Sequence, residues 1–357
     1  MPISSALGSS ALLPAGLGFR NVLINGGMQV AQRSSSVAVI TASGYYTADR
    51  WFTNADGTIG TWTQSIESDA PADSGLANSL KMLCTTANAS LDAADFLNID
   101  QRIEGQNLLQ FCKGTSAAKS FTLSFWVKSN VTGNYNVELR DITNTRSVGA
   151  VYNIGSSATW EKKTVTFPAD TTGAFANNNT GALRLGFGLG MGSNYTSGTL
   201  ATTWVSSVTA NRWVGQTNLA AATNNYWQIT GVQLEANYQP TPFEQRPIGV
   251  ELALCQRYYW KWVSQNNGDL FCGVYQPAST NFTILVPMPT VMRARPTSAT
   301  ISGSWSVLNT SASPSVYDRG TNWMILLSTV NPGITNANQS GFYSNSGSST
   351  LIQDAEL

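Results

Sequence analysis

The sequence predicts an all-β protein: a jelly-roll β-sandwich followed by a short helix and a smaller β domain. Three observations carry this. Apolar residues recur with a period of two in stretch after stretch, as half-buried antiparallel strands require. Clusters of Ser, Thr, Asn and Gly separate those stretches at turn spacing. One segment alone, just after a proline-rich connector, has the composition of a good helix.

The bulk numbers agree. The chain has 357 residues, enough for one large β domain and a smaller one, each with its own core. Twenty basic residues balance twenty acidic ones, and only 11% of residues are charged, against about a quarter in an average domain. With 42% hydrophobic residues the chain is not a disordered polyelectrolyte. A nucleic-acid partner is not expected, because no basic stripe is visible along the sequence. Membrane insertion is not expected either, since no apolar run approaches the ~20 residues a spanning helix needs. The chain contains no histidine, which removes the commonest general base and zinc ligand. Cys84, Cys112, Cys255 and Cys272 are widely spaced, form no metal or redox motif, and are expected as buried free thiols.

The elements follow in order. Residues 1–20 form an N-terminal arm with small, turn-prone composition and no secretory signal; Ile3, Leu7, Leu12 and Leu13 are its candidate docking residues against a neighbouring chain. Residues 21–245 form the sandwich. Its first block brackets an Asn-Gly-Gly turn at residues 25–27 with apolar flanks, which predicts a hairpin. Trp51 and Phe52 are expected to seal the first core. Phe121, Leu123, Phe125 and Val127 share one face of a strand, as do Tyr135, Val137 and Leu139 on the next. Leu183, Leu185, Phe187 and Leu189 repeat the pattern, with Arg184 and three glycines opposite, so that this face admits close approach by another backbone or a ligand. Near Gly231 the phase shifts: Trp227 and Ile229 have one parity, Val232 and Leu234 the other, and a β-bulge would point all four inward. A connector rich in proline spans 239–247, and Pro247 opens the short helix. Residues 246–357 hold this helix and the C-terminal β domain. There 258–263 returns to strand, 282–288 alternates, 323–330 reads as a fully buried strand, and 344–350 reads as a loop.

Two blocks carry a resemblance. Residues 21–33 (NVLINGGMQVAQR) with 46–51 (YTADRW) resemble the opening of a module recurrent in phage tail-fibre and tail-spike proteins. Residues 227–235 (WQITGVQLE), 241–247 (TPFEQRP) and 251–259 (ELALCQRYY) resemble its closing signature. Between them, 125–128 (FWVK) and 160–167 (WEKKTVTF) are similar to carbohydrate-binding-module-like jelly rolls. The resemblance spans roughly residues 20–260 and implies a virion protein with a carbohydrate-binding-like sandwich and host surface polysaccharide as its target. Other virion proteins are the expected partners and the host cytoplasm the place of assembly. With no histidine, and with arginines beside its candidate carboxylates, the chain is expected to be non-enzymatic. The resemblance does not fix where on the particle the protein sits, and a place on the tail is expected over the head. A homo-oligomer is expected because virion sites are symmetric and the apolar arm needs a partner, with a trimer as the first expectation from the resemblance.

Within that frame the sequence leaves several choices open. Aromatic faces in polar loops stack on sugar rings but also pack in cores, so Trp204, Trp213, Tyr195, Trp305 and Tyr317 are the candidate ligand-binding residues. Arg33, Asp49 and Arg50 read as an Arg–carboxylate lock on the sandwich edge rather than as ligand contacts. Asp141, Asp170 and Asn177–Asn179 offer oxygen ligands for a structural calcium, the one cofactor expectation. Glu235 and Glu244 invite a glycan-degrading enzyme, which needs a carboxylate pair on one cleft, whereas Arg246 and Arg257 stand ready to pair with them. The absence of a collagen-like or coiled-coil shaft keeps a capsid decoration or head-fibre protein as the second reading.

Overall fold

Alternation of apolar and polar residues builds two facing antiparallel sheets around one core. In the computed structural model, residues 19–267, 269–278, 281–307, 313–329 and 340–357 are described. The arm residues Ile3, Leu7, Leu12 and Leu13 lie outside them. The first sheet has six strands in the spatial order Ser36–Ile40, Thr61–Glu67, Ser79–Thr86, Tyr226–Ala236, Phe121–Ser129 and Glu161–Phe167. The second has seven: Val205–Ser206, Arg146–Ile154, Gly133–Asp141, Gly181–Met191, Phe96–Glu104, Phe52–Asp56 and Gly44–Tyr45. Phe121, Leu123, Phe125 and Val127 from the first sheet and Val137, Leu139, Leu185 and Phe187 from the second are fully buried between them. Phe125 and Phe187 meet edge to face at 5.1 Å. Each such side chain contributes roughly 1.5–3 kcal/mol of burial.

The phase shift near Gly231 is a bulge. The register slips between Thr230 and Gln233, Gly231 takes φ +61°, and Trp227, Ile229, Val232 and Leu234 all point into the core. The expected hairpin over the Asn-Gly-Gly turn does not form. Residues 21–32 contain no strand, and the chain there coils around the buried side chain of Asn25, which sits at φ +58°. Its Nδ2 donates to the carbonyls of Val30 (2.8 Å) and Asp49 (3.1 Å), and its Oδ1 accepts from the amides of Gln29 (2.8 Å) and Val30 (3.0 Å). A local side-chain partner has replaced the cross-strand ladder. Trp51 seals the core as expected, whereas Phe52 faces outward against Tyr45 and Arg102.

The helix Ile248–Gln256 starts directly after Pro247 and buries Cys255 against Ile24, Val30 and Tyr258. Beyond it lie a three-stranded sheet (Tyr259–Val263, Thr350–Asp354, Ser298–Ser302) and a six-stranded one (Trp305–Val307, Ser340–Ser344, Leu270–Ala278, Asn281–Pro287, Trp323–Thr329, Ser315–Arg319). The apolar run Trp323–Thr329 is buried on one face only: Met324 and Leu326 point inward while Ile325 and Leu327 are half-buried. A continuous apolar run need not have two covered faces.

The Arg–carboxylate lock is present and larger than expected, because it also holds the C-terminal tail. Arg33 lies 3.7 Å from Asp49, 3.2 Å from Asp354 and 3.3 Å from Glu356, and Arg50 pairs with Glu356. The guanidinium groups of Arg33 and Arg50 stack on Tyr259 at 3.6 Å and Tyr258 at 3.5 Å. Cys84 and Cys255 are buried free thiols, and burial pushes both above the usual thiol range. Cys112 is only half-buried, exposed by its left-handed position at the end of a 3-10 turn. The side chain of Cys272 lies outside the described residues.

Candidate functional site

The outward face of the seven-stranded sheet is polar, and the strand register sorts it into rows. Arg184 stands directly opposite Arg102 on one neighbour and Arg140 on the other. One step along, Gly186 stands between Asp100 and Glu138. The next step brings Asn98 between Asn54 and Gly188, with Asn136 on the adjoining strand. Strand alternation produces this plate: each of these residues neighbours one that points into the core.

The glycines leave room above the plate, and residues 192–218 of the chain itself enter it. A Cβ on Gly186 would stand 3.3 Å from Cη2 of Trp213, and one on Gly188 would stand 2.8 Å from its Cε3. The segment is tied down at several points. Arg212 makes a two-pronged bond to Glu138, both arms at 2.6 Å. Burial alone would lower the Arg212 pKa, but the bonds to Glu138 outweigh it and push it up. Gln216 Oε1 accepts from the Asn136 amide at 2.8 Å, and Asn136 Nδ2 donates to the Val214 carbonyl at 3.2 Å. The Trp213 amide donates to the Tyr195 carbonyl at 3.0 Å, and Phe96 joins the rings of Tyr195 and Trp213 with centroids 4.9 and 6.0 Å away.

Four buried polar atoms on this plate or on the segment above it have no hydrogen-bond partner among the described residues: Asn98 Nδ2, Asp100 Oδ1, Asn136 Oδ1 and Trp213 Nε1. A buried polar group costs about 1–3 kcal/mol when neither protein nor ordered water partners it. Burial also raises the Asp100 pKa above the usual carboxylate range, against the pull of Arg184 and Arg102.

The candidate aromatics do not converge. Trp213 and Tyr195 meet at the plate. Trp204 is buried elsewhere, its ring 5.6 Å from that of Phe121 and its Nε1 bonded to the Pro168 carbonyl at 2.9 Å. Trp305 is core in the C-terminal part, stacked on Phe342 at 4.5 Å. Tyr317 is 69% exposed on the edge strand Ser315–Arg319.

Asp141 and Asp170 do come together, and a lysine ammonium lies between them. Lys113 Nζ sits 2.6 Å from Asp141 Oδ2 and 3.1 Å from Asp170 Oδ2, and donates to the carbonyls of Thr172 (2.8 Å) and Gly173 (2.7 Å). Asn177–Asn179 do not join this cluster: Asn178 bonds Thr180, and Asn179 reaches the Arg293 carbonyl. Among the described residues no group of three or more His, Cys, Asp or Glu side chains could hold a metal ion. Glu235 accepts from Thr241 and Gln233. Glu244 pairs with Arg246 at 2.9 Å and accepts from the amides of Phe19 and Asn21. Arg257 pairs with Glu104 instead, at 2.9 Å.

The rows of the plate were half legible. Glu138, Arg140 and Arg184 are readable as the polar face of their strands, but only the register between strands aligns them with Arg102, Asp100 and Asn98.

No protein-family profile matches the chain, and no curated protein does. Among solved structures it is similar to the enzymatically active domain of tailspike protein 4 of bacteriophage CBA120, with 15% identity, a TM-score of 0.31, 61% of this chain covered and 21% of that one. The chain thus spans about a fifth of that tailspike domain's length. It is also similar to the carbohydrate-binding module TmCBM61 in complex with β-1,4-galactotriose (10% identity, TM-score 0.31, coverage 61% and 99%). A third likeness is to a family 11 carbohydrate-binding module from Clostridium thermocellum in complex with a mixed-linked tetrasaccharide (10% identity, TM-score 0.28, coverage 57% and 98%). Scores this low carry no argument about function, which rests below on the chain's own residues.

Gly188→Ala tests how the segment is seated. The added methyl meets Trp213 and, at 2.5 Å, Gln216 Oε1. The expected result is a loss of about 1–3 kcal/mol in chemical unfolding, with faster amide exchange confined to 192–218. An unchanged exchange pattern would mean that Trp213 is not held against the glycines.

Proposed function

We propose that this chain is a non-enzymatic bacteriophage virion protein, a tail fibre or related receptor-binding protein, which takes host cell-surface glycan on the outward face of its seven-stranded sheet. One observation carries the reading: the outward face of this sheet gathers amide, carboxylate and guanidinium groups in register, with Arg140 and Arg184 part-exposed beside residues 192–218. Sugar hydroxyls donate and accept, so a glycan site needs mixed donors and acceptors beside an aromatic ring.

The virion reading is supported by the sequence blocks that carry the resemblance, which turn out to be one physical unit. Asn21 Nδ2 donates to the Val232 carbonyl at 2.9 Å and its Oδ1 accepts from the Leu234 amide at 3.0 Å. Arg246 donates to the carbonyls of Asn21 and Leu23, and the Asn25 amide donates to Glu251. The opening and closing signatures thus clasp each other. Glu235 and Glu244 belong to this clasp, which favours a structural over a catalytic role for them.

The test is to locate the chain in intact particles by electron microscopy and count its copies. Density at the tail, in a small multiple of three, is the expected result. Density at many symmetric sites on the head would replace this reading by capsid decoration.

A further inference from the structure

Resting on the glycan reading, we infer that the ligand of the plate is an acidic polysaccharide, and that Arg140 and Arg184 hold a sugar carboxylate. The inference starts from the arginine row. Arg102, Arg184 and Arg140 stand side by side on three hydrogen-bonded strands. Like charges directly opposite each other repel, so this arrangement works against the sheet that carries it. The chain supplies Asp100 and Glu138 one step away, but they answer the row only in part. Arg212 takes both oxygens of Glu138. Arg184 is left at 3.6 Å from Asp100 and 3.8 Å from Glu138, beyond hydrogen-bonding distance. Arg140 has no ion pair among the described residues. Neither the Arg140 nor the Arg184 guanidinium donates a hydrogen bond to any described residue, although each has five N–H donors. Both are part-exposed, so solvent reaches them past the 192–218 segment.

Arg102 turns to the Leu357 oxygen at 3.2 Å, which leaves three guanidinium groups, Arg140, Arg184 and Arg212, facing two carboxylates, Asp100 and Glu138. Burial first, and then the neighbouring charges of Arg212 and Arg184, lower the Arg140 pKa against the pull of Glu138. A planar carboxylate bridging two adjacent guanidinium groups supplies a further anion and satisfies donors on both, with the geometry arginine is suited to. The pyranose ring that bears the carboxylate would lie outside the part of the plate that Trp213 and Gln216 cover, against the part-exposed Arg140 and Arg184.

The experiment is binding of the full chain to an array of neutral and acidic bacterial surface polysaccharides, with each acidic one also printed after chemical reduction of its carboxyl groups. Arg140→Gln, Arg184→Gln and the charge-keeping Arg140→Lys are run in parallel, and thermal unfolding confirms that each is folded. The expected result is binding to acidic members, at least tenfold weaker after carboxyl reduction, tenfold weaker again in either Gln variant, and closer to the parent in Arg140→Lys. Binding of neutral members, or of reduced ones equally well, would overturn the acidic class and leave the glycan reading standing. Binding to no member would overturn both. Competition by duplex DNA stronger than by acidic glycan would assign the row to phosphate instead.

Discussion

Asn25→Ala is expected to leave little folded protein at 37 °C. The Asn25 side chain holds four backbone groups in the interior: the carbonyls of Val30 and Asp49 and the amides of Gln29 and Val30. Truncation strands all four, at about 1–3 kcal/mol for each that water cannot reach. The residue also sits at φ +58°, where alanine costs a further ~1–2 kcal/mol and asparagine is tolerated. Even with partial rescue by water, a loss of about 4 kcal/mol or more consumes much of the 5–15 kcal/mol by which domains are stable. Gly26 raises the stakes, since its Cα packs against the Val232 carbonyl so closely that no Cβ fits. Chemical unfolding of Asn25→Ala, Asn25→Asp and Asn25→Gly separates the causes. Asn25→Asp keeps the two accepted bonds and should lose less than Asn25→Ala. Asn25→Gly removes only the backbone strain from the cost. Parent-like stability in Asn25→Ala would mean the coil at 21–32 is not organised by this side chain.

Lys113→Met is expected to cost about 3–5 kcal/mol, the usual penalty for removing one partner of a buried ion pair. Among the described residues the fully buried Asp141 keeps only Asn144, while Asp170 keeps Arg146 at 2.8 Å. The double variant Lys113→Met with Asp141→Asn should recover part of the loss, because no bare charge then remains at 141. The pH dependence gives a second readout. Burial would raise the Asp170 pKa, but hydrogen bonds from Arg146 and Lys113 win and hold it below its ordinary 3.8. A carboxylate depressed in the folded state stabilises it above the unfolded value and loses that contribution as pH falls below about 3.8 toward the folded value. Lys113→Met removes one cause of the depression, so its stability should fall less steeply on acidification than the parent's. An equal slope would mean that Lys113 does not act on Asp170.

What the sequence showed and what it hid divide along one line. Strands with a clean period of two, such as Phe121–Ser129, were legible because one face must be buried whatever its partners are. The bulge at Gly231 was legible for the same reason, since four large apolar residues of changing parity can share a core only if the chain shifts phase. The hairpin at Asn25 was misread because turn statistics do not reveal a side chain that outcompetes the ladder for backbone groups. At the site, the glycines opposite Leu185 and Phe187 announced a close approach, and Trp213 is what approaches. The arginine row stayed hidden, because Arg102, Arg140 and Arg184 lie far apart along the chain and become neighbours only through strand register. Trp204 and Trp305 were ambiguous for a different reason: polar flanks do not tell a loop aromatic from one whose ring is core and whose N–H finds a carbonyl.

The most direct test of the central claim, that the outward face of the seven-stranded sheet is the glycan-binding face, is amide hydrogen exchange on the full chain with and without its bound polysaccharide. The account predicts added protection in Phe96–Glu104, Gly133–Asp141, Gly181–Met191 and residues 192–218, with the C-terminal sheets unchanged. Protection confined to the C-terminal strands, for instance around the exposed Tyr317, would contradict it and move the site to the C-terminal sheets.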